Sequence, residues 1–474
     1  MLLSHFISRG ADNSTFFSGN RRIPWPIVAV AMICAPITGV TFISVPGMVL
    51  TQGYAYLQMA LGFIVGYFII ALWLIPLFYR RNLISIYGFL EERFGGNTYK
   101  TGAWFFLVSK ILGTSVRFFV VCLALHQMVF SPLGFPFALT VGLTMSLMWF
   151  LTVKGGVKSV VWTDMMKSLC LISSIILCIY FISSGLGVKI SEIPRLVGAH
   201  STARVFFFDN PSESTYFWKQ FVAGVFLVIA MTGLDQDMMQ HPLSCKDARS
   251  AGKNMVLSSV LQFAVISLFL MMGTLQVIYL ETHSVAYPER SDNLFATVAF
   301  HEGLPFIVGV LFIIGLVSAS YSSVGSALTS LTTSFSVDIL SAHKHSTEAS
   351  LSRKRKLTHT AMAATIAAVI LIIYHLSSEN AINAVFTLAS FTYGPILGLF
   401  VFGLFNSRRT SSKWIPAVCV AAPCLAWLVQ WMAETLLQYR IGYELLLINA
   451  AFTYVGLWAL SFTGRKSAVR SEYA

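Results

Sequence analysis

Charged residues are scarce in this chain of 474 residues. Only 11% of its residues are Asp, Glu, Lys or Arg, whereas 56% are hydrophobic and the mean hydropathy is +0.73. A soluble globule of this size needs more polar surface than that. The seven cysteines form no C-x-x-C pair and no Cys/His metal-ligand spacing, so we interpret them as small core residues. These absences predict an integral membrane protein.

Apolar runs of about 20 residues recur along the chain, and each is long enough to cross a hydrocarbon core of roughly 30 Å as a helix. We place twelve spans at 24–50, 53–79, 101–130, 135–153, 157–185, 216–240, 253–282, 303–337, 357–376, 382–405, 415–438 and 442–463. The polar stretches between them, of which 186–215 and 338–356 are the longest, are too short for a soluble domain. The first 20 residues are too short and polar for another span or an ordinary signal peptide.

Basic residues lie mostly on one side of the predicted membrane. With the N-terminus in the cytoplasm, 23 Lys and Arg residues fall in cytoplasmic segments and 6 in extracellular ones. Short cytoplasmic loops of membrane proteins carry such an excess. The net charge of +12 is therefore mainly an orientation signal, and it gives no reason to expect a nucleic-acid partner. The basic run 353–356 is interpreted as the flank of a span.

Several charged residues lie inside spans, where each costs at least about 2.5–3.5 kcal/mol. They are Lys110 and Arg117 in the third span, Asp164 and Lys167 in the fifth, and Asp235 and Asp237 in the sixth. Such residues face protein or a water-filled cavity. We expect Lys110 to be ion-paired or to reach toward the membrane surface, Lys167 to neutralise Asp164 across one helical turn, and the other two acids to make structural hydrogen bonds.

Helix-breaking residues interrupt the first span. Pro36 removes a backbone donor, Gly39 adds flexibility, and Pro46 repeats the disturbance within the same span. The sixth span has a similar weakness at 231–233. We expect both helices to be broken there, and broken helices with released carbonyls form the ion and substrate sites of transporters.

Residues 318–330 concentrate seven serine and threonine side chains in the eighth span. Ser318, Ser322, Ser326 and Ser330 recur every four residues, so they share a helical face. A stripe of small residues for close helix packing explains this pattern. Alternatively, neighbouring hydroxyls and a carbonyl one turn earlier offer oxygen ligands to a small hard cation. The spacing alone leaves both interpretations open.

Taken in order, these segments resemble the sodium:solute symporter family, the relatives of the sodium/glucose and sodium/proline cotransporters. The matching segments are SGNRRIPW at 18–25, TFISVPG at 41–47, SIYGFLEERFG at 85–95, VVWTDMMK at 160–167, GLDQDMMQ at 233–240, SFSVDIL at 334–340 and YGPILGLFVFG at 393–403. The resemblance implies an all-α, LeuT-like membrane protein of two inverted five-helix repeats with two additional helices.

The resemblance divides the chain into five parts. They are a cytoplasmic segment or truncated helix stub (1–23), a first five-helix repeat (24–185), an extracellular loop (186–215), a second repeat (216–405), and two extra helices with a tail (406–474). Relatives usually carry one more helix before SGNRRIPW, so we expect the start to lack that helix or to be truncated.

The resemblance also implies a sodium site. Its ligands would be the backbone carbonyls of Cys34, Ile37 and Ala319 and the hydroxyls of Ser322 and Ser323. Asp164 matches the family's acid near the sodium exit path, where some relatives hold a second sodium ion with two hydroxyls. Those two positions are Gly325 and Ser326 here, so we expect one sodium ion per solute molecule.

In the family, the substrate lies beside the two helix breaks. The candidates here are Thr38, Thr41, Gln58, Arg117, Met231, Thr232 and Gln262. The positions that bind sugars in sugar-transporting members are Thr41, Met231 and Thr232, which argues against a galactose-like pocket. Arg117 matches an arginine that sialic-acid-transporting members place against a carboxylate, and its guanidinium suits that group. A structural role for Arg117, and helix contacts for the threonines and Gln58, stay open.

The predicted function is sodium-coupled uptake of a small organic solute by alternating access, with sodium as the co-transported ion. A proton-coupled or uncoupled carrier, or a membrane sensor, is the alternative. An enzyme is not predicted, because H-E-x-x-H and G-x-S-x-G motifs are missing. We expect a monomeric functional unit in the lipid bilayer of the cell membrane, which in a bacterium is the inner membrane.

Overall fold

The described part of the chain is helical throughout and contains no strand. The computed structural model describes residues 24–34, 36–81, 87–152, 157–301, 303–340, 348–376, 381–406, 408, 410 and 413–463. The predicted N-terminal segment 1–23 lies outside these residues. An all-helical architecture is what a bilayer requires, because a helix satisfies its backbone polar groups internally.

Eighteen α-helices are described in chain order. The first eight are α1 (Trp25–Cys34), α2 (Gly39–Gln52), α3 (Ala55–Ile69), α4 (Ile75–Arg80), α5 (Gly88–Phe94), α6 (Gly96–Leu125), α7 (Phe137–Thr152) and α8 (Val157–Gly185). The next five are α9 (Ile193–Ala199), α10 (Phe217–Val228), α11 (Gln236–Leu243), α12 (Ala248–Thr282) and α13 (Leu294–Ala299). The last five are α14 (Phe306–Ser334), α15 (Glu348–Leu376), α16 (Ala381–Phe405), α17 (Ile415–Leu436) and α18 (Leu445–Thr463).

Short helical turns of other types extend or join these helices. Four five-residue π-helical turns lie at Ile70–Leu74, His126–Phe130, Ile229–Gly233 and Phe335–Ile339. Three 3-10 turns lie at Ile190–Glu192, Ser201–Ala203 and Ser291–Asn293. The π turn at Ile70–Leu74 joins α3 to α4, so that 55–80 forms one continuous span.

Each of the twelve predicted spans contains a helix. Eight helical segments of the described chain are long and apolar enough to cross a membrane, and the bent pair in the sixth span makes nine. Shorter apolar helices, at Gly39–Gln52, Phe137–Phe150 and Phe306–Val317, lie in the first, fourth and eighth predicted spans. The total of twelve crossings stays a prediction.

The predicted break in the first span is confirmed. Helix α1 ends at Cys34 and α2 begins at Gly39, with Pro36 between them. Thr38 adopts an extended backbone conformation at the start of α2, and its N–H donates to Thr41 Oγ1 at 3.2 Å. This hydrogen bond satisfies one of the amide groups that a helix start leaves without an intrahelical partner.

The predicted break in the sixth span is also confirmed. Helix α10 continues into the π turn Ile229–Gly233, and the axis then bends by 71° into α11. The carboxylate of Asp235 caps α11 by accepting from the backbone N–H groups of Asp237 at 2.9 Å and Met238 at 3.2 Å. The acid therefore stabilises the new helix start where the span has turned.

The broken first span lies in the centre of the fold. Helix α1 packs against α8 and α12, and α14 packs against both halves of the span. Ser168 on α8 donates to the backbone carbonyl of Val30 at 2.8 Å, which holds α1 against the fifth span. This arrangement brings the break and the serine-rich helix together.

Glycines bring the second and sixth spans into close contact. A Cβ atom at Gly62 would clash with the Phe221 carbonyl of α10, and one at Gly224 would clash with the Met59 carbonyl of α3. Small residues on both helices therefore allow the two backbones to approach directly, as is common between membrane helices.

The core interpretation of the cysteines is wrong for two of them. Cys122, Cys178, Cys245 and Cys419 are buried, whereas Cys170 and Cys424 are exposed. An apolar run predicts a membrane helix but not which face packs on protein, because lipid-facing residues are as apolar as buried ones.

Candidate functional site

The helix break and the serine-rich helix are the two parts of the predicted sodium site. Ile37 and Thr38 lie in the nonhelical segment between α1 and α2, and their exposed fractions are only 1% and 2%. Ser323 is partly buried on α14, which packs against both α1 and α2. The side chains of Cys34, Ala319 and Ser322 lie outside the described part, so the five-ligand set stays a prediction.

A buried ionic network lies beside this region. Lys110 Nζ on α6 is 3.2 Å from Asp235 Oδ2 and 2.8 Å from Asp237 Oδ2. All three side chains are buried, with exposed fractions of 2–7%. The ammonium group therefore connects the third span to the start of α11. The prediction that Lys110 is ion-paired is confirmed.

Hydroxyl groups from two more spans complete the network. Tyr393 on α16 donates its hydroxyl to Asp235 Oδ2 at 2.5 Å, and Ser326 on α14 donates to Asp237 Oδ2 at 2.9 Å. Each carboxylate thus receives the Lys110 ammonium and at least one hydroxyl donor. Such a buried cluster of three charges is tolerable because the carboxylate oxygens also accept hydrogen bonds from these hydroxyls.

A small cavity adjoins the network. Its lining residues are Ser109, Lys110, Gly113, Thr114, Arg117, Met231, Asp235, Met238, Val385, Leu388, Ala389 and Tyr393. They come from the third span, the broken sixth span and the tenth span. The cavity therefore lies beside a helix break, where transporters of this construction bind their ligands.

Arg117 is a second cation of the cavity lining, and the carboxylates of Asp235 and Asp237 attract its charge without a direct ion pair among the described residues. It lies two turns beyond Lys110 on α6 and is partly buried. Within the part of the chain that the structure describes, its guanidinium makes no hydrogen bond and no ion pair. A guanidinium group carries five N–H donors in a planar fork. The described residues thus leave these donors without a hydrogen bond.

Asp164 and Ser326, the residues predicted for a second sodium site or an exit path, have different partners. Lys167 donates to Asp164 Oδ1 at 3.1 Å, which confirms the predicted pair, and His241 Nε2 lies 3.9 Å from Asp164 Oδ2. Ser326 donates instead to Asp237. The role of both residues in sodium binding stays a prediction.

The substrate candidates occupy several different places. Only Met231 and Arg117 line the cavity described above. Thr38 and Thr41 form the start of α2, Thr232 is buried in the π turn Ile229–Gly233, and Gln262 is buried on α12. Their contact with a substrate stays a prediction.

Gln58 binds the backbone of the segment that precedes the sixth span. Its Nε2 donates to the carbonyl of Thr215 at 2.9 Å, and its Oε1 accepts from the N–H of Phe207 at 3.1 Å. The side chain is fully buried, with an exposed fraction of 0%. Its amide is therefore already engaged with backbone.

Sequence reasoning missed two features of the site. The pairing of Lys110 with Asp235 joins residues 125 positions apart, so no local pattern indicates it. Tyr393 belongs to a matching segment, YGPILGLFVFG, but its hydroxyl is only seen to reach Asp235 in the structure. A lysine and two acids at membrane depth in different spans were the available signal, because buried charges need partners.

The fold and this ionic cavity define a class of protein: a multi-pass membrane protein with the LeuT-like fold of secondary transporters. A solved structure of a Na⁺-coupled sialic acid symporter, in a substrate-bound outward-open state, is similar with a TM-score of 0.81 and 18% identity. The similarity covers 98% of this chain and 95% of that one. At this identity, the likeness establishes the fold alone.

The sequence comparison gives the particular family. Residues 16–414 match the Sodium:solute symporter family, and the chain belongs to that family. It is 25% identical to the sodium/iodide cotransporter of Homo sapiens over 415 residues, covering 84% of this chain and 62% of the relative. It is 24% identical to sodium-coupled monocarboxylate transporter 1 of Xenopus laevis over 407 residues, covering 82% and 62%. The chain thus spans less than two thirds of these relatives.

Proposed function

We propose that this protein is a sodium-coupled symporter that carries a small organic anion, of the carboxylate class, into the cell. Membership of the sodium:solute symporter family supports the coupling ion and the transport reaction. The names of the similar proteins specify iodide, a monocarboxylate and sialic acid as solutes, and all three are anions at neutral pH.

The unpartnered guanidinium of Arg117 is the observation that carries the substrate class. Lys110 already faces two carboxylates, whereas Arg117 lines the cavity without a hydrogen bond or ion pair in the described chain. A partly buried cation is costly when it lacks a partner. A bound carboxylate would supply two acceptor oxygens that match the guanidinium fork.

The broken first span supports the sodium site. Carbonyls beside a helix break, such as that of Ile37, have lost their helical donors and can face a cation. Ser322 and Ser323 lie on the helix that packs against this break. Oxygen ligands of this kind suit sodium. We retain one sodium ion per solute as the coupling, and a monomer as the functional unit.

The mechanism is coupled binding and conformational exchange without bond chemistry, so we assign no enzymatic activity. Sodium would connect the first span to the eighth and favour the state in which the substrate site is complete. One sodium ion that crosses the full membrane potential contributes about 2.3 kcal/mol per 100 mV. This free energy would drive accumulation of the anion against its gradient.

Reconstituted vesicles test the proposal. Purified protein in proteoliposomes would be screened with radiolabelled short-chain monocarboxylates, hydroxy acids, sialic acid, amino acids and neutral sugars. An inward sodium gradient should drive uptake of an acid, and an inward proton gradient without sodium should not. Uptake driven by protons alone would identify a proton-coupled carrier. Sodium-driven uptake of only neutral solutes would support sodium as the coupling ion but would contradict the proposed carboxylate substrate.

A further inference from the structure

An apolar groove with a volume of about 540 Å³ lies between the fifth and seventh spans. Four of its lining residues lie within 176–180 on α8, and Leu268 and Met271 lie on α12. Ile190, Ile193 and Pro194, which follow the end of α8, close one end of the groove. Pockets that hold a small-molecule ligand have volumes of roughly 300–1,000 Å³. The groove is therefore large enough to bind a ligand.

The groove opens on the membrane-facing surface of the protein. Ile176, Leu177 and Tyr180 are 41–52% exposed, whereas Ile179 on the same helix is only 7% exposed. All four lie inside the candidate span 164–185. Exposed apolar residues of a membrane span contact lipid tails, which are as apolar as leucine, or another membrane protein. The occupant of the groove must therefore be apolar along the part that lies between the two spans.

The depth of the groove matches one leaflet of the bilayer. The fifth span ends at Gly185, and Ile176 precedes this end by nine residues. A helix rises 1.5 Å per residue, so the groove extends about 14 Å into the membrane. Half of a hydrocarbon core of roughly 30 Å is about 15 Å. A single acyl chain that enters from the membrane surface spans this distance.

Two cations flank the end of the groove at the membrane surface. Lys189 directly precedes Ile190, Arg195 directly follows Pro194, and both side chains are exposed. Neither forms an ion pair within the described chain. Glu192 is the one acidic residue of the segment 189–195, and its carboxylate accepts from the backbone N–H of Lys189 at 3.3 Å. The segment therefore keeps a net positive charge directly above the apolar groove.

We propose that this groove binds an anionic phospholipid from the leaflet at which α8 ends. One acyl chain would lie between α8 and α12, and the phosphate would pair with Lys189 and Arg195. Cations beside a membrane surface attract anionic headgroups in this way. The bound lipid would connect the fifth and seventh spans to α9. This site is separate from the cavity beside Arg117 and does not depend on the transported solute.

Native mass spectrometry of the purified full-length protein tests the acyl-chain part of the site. After delipidation in mild detergent, phosphatidylglycerol would be titrated into the protein. Ile176→Trp places a larger side chain in the groove and should weaken binding roughly tenfold. Leu169→Trp is the matched control and should bind like the wild type, because Leu169 lies two turns earlier on the same helix, is 49% exposed against 52% for Ile176, and lies outside the groove lining.

The headgroup part is tested by the double variant Lys189→Gln/Arg195→Gln, with phosphatidylcholine as the reference lipid. Loss of the two cations should weaken phosphatidylglycerol binding roughly tenfold and leave phosphatidylcholine binding unchanged. Unfolding midpoints near that of the wild type would establish that the variants are folded. Leu177→Trp, which also fills the groove, replaces Ile176→Trp if that variant does not fold.

Three outcomes would overturn the proposal. Equal phosphatidylglycerol binding by Ile176→Trp and Leu169→Trp would show that the groove holds no acyl chain. Displacement of phosphatidylglycerol by inorganic phosphate at equal concentration would identify a free-anion site in place of a lipid site. A dimer of the delipidated wild type that Ile176→Trp dissociates would identify a second copy of the chain as the occupant.

Discussion

Lys110 and Arg117 are two cations on one face of the same helix, yet they have opposite surroundings. Lys110 is buried between two carboxylates at 2.8–3.2 Å, whereas Arg117, two turns farther along, lines a cavity without a close charged partner in the described chain. Both carry a positive charge at membrane depth, but only Lys110 forms direct ion pairs, whereas Arg117 is attracted by the same two carboxylates without contacting them. This difference supports the proposal that Lys110 stabilises the fold and that Arg117 binds the transported anion.

Removal of the neutralised cation should have the largest effect. In Lys110→Met, Asp235 and Asp237 would remain buried without their ammonium partner, which costs about 3–5 kcal/mol. We expect loss of monodisperse protein in size-exclusion chromatography and a lower thermal unfolding midpoint. The double variant Lys110→Met/Asp237→Asn removes one of the abandoned charges and should recover part of the loss. Wild-type stability of Lys110→Met would contradict the structural role.

Substitution of Arg117 should leave the fold intact and weaken binding of the substrate. The loss of a single charge-assisted hydrogen bond costs about 1.5–3 kcal/mol, so in Arg117→Met the KM for an acid should rise at least roughly 10- to 150-fold. Arg117→Lys keeps the charge without the planar fork and should give an intermediate KM. The unfolding midpoint of both variants should stay near that of the wild type. If the unfolding midpoint of Arg117→Met fell as far as that of Lys110→Met, both cations would have a structural role and the contrast between them would be wrong.

The proposed sodium ligands can be tested independently of Lys110 and Arg117. Ser322→Ala and Ser323→Ala should each raise the sodium concentration for half-maximal uptake by about tenfold, since a lost ligand costs on the order of 1–2 kcal/mol. Ser330→Ala is the matched control, because Ser330 is buried on the same helix and its hydroxyl donates to the Ala327 carbonyl at 3.0 Å. Unchanged sodium dependence in the first two variants would refute the assignment.

Ser326 should give the smallest effect. Its hydroxyl donates to Asp237, which Lys110 also contacts, so Ser326→Ala should lower the free energy of unfolding by only about 1 kcal/mol. The Hill coefficient for sodium should be near one in the wild type and in the variant. A coefficient near two that falls on substitution would instead assign Ser326 to a second sodium ion.

Local chemistry predicted the elements of the fold but not its cross-span contacts. Pro36 and Gly39 act on their own helix, so the break in the first span could be located from the sequence. The pairing of Lys110 with Asp235 depends on how the third and sixth spans pack, which no periodicity encodes. The sequence left Lys110 either ion-paired or reaching toward the membrane surface, and it identified no partner.

Gln58 illustrates the same limit for ligand sites. A buried amide in a span beside the helix breaks is compatible with a substrate contact, yet its two polar ends bind backbone at Thr215 and Phe207, about 150 residues away in the chain. Polarity at membrane depth indicates that a partner exists, and only the packing identifies that partner. Arg117 is informative for the opposite reason, because the described packing leaves its donors available.

The central claim is tested most directly by comparing the uptake of a carboxylic acid with that of its neutral amide in reconstituted vesicles. Under an inward sodium gradient, wild-type vesicles should accumulate a carboxylic acid but not its neutral amide. Arg117→Met vesicles should no longer take up the acid, although sodium should still raise the unfolding midpoint of the variant protein. Accumulation of acid by Arg117→Met at the wild-type KM, or acid uptake indifferent to sodium, would contradict the account.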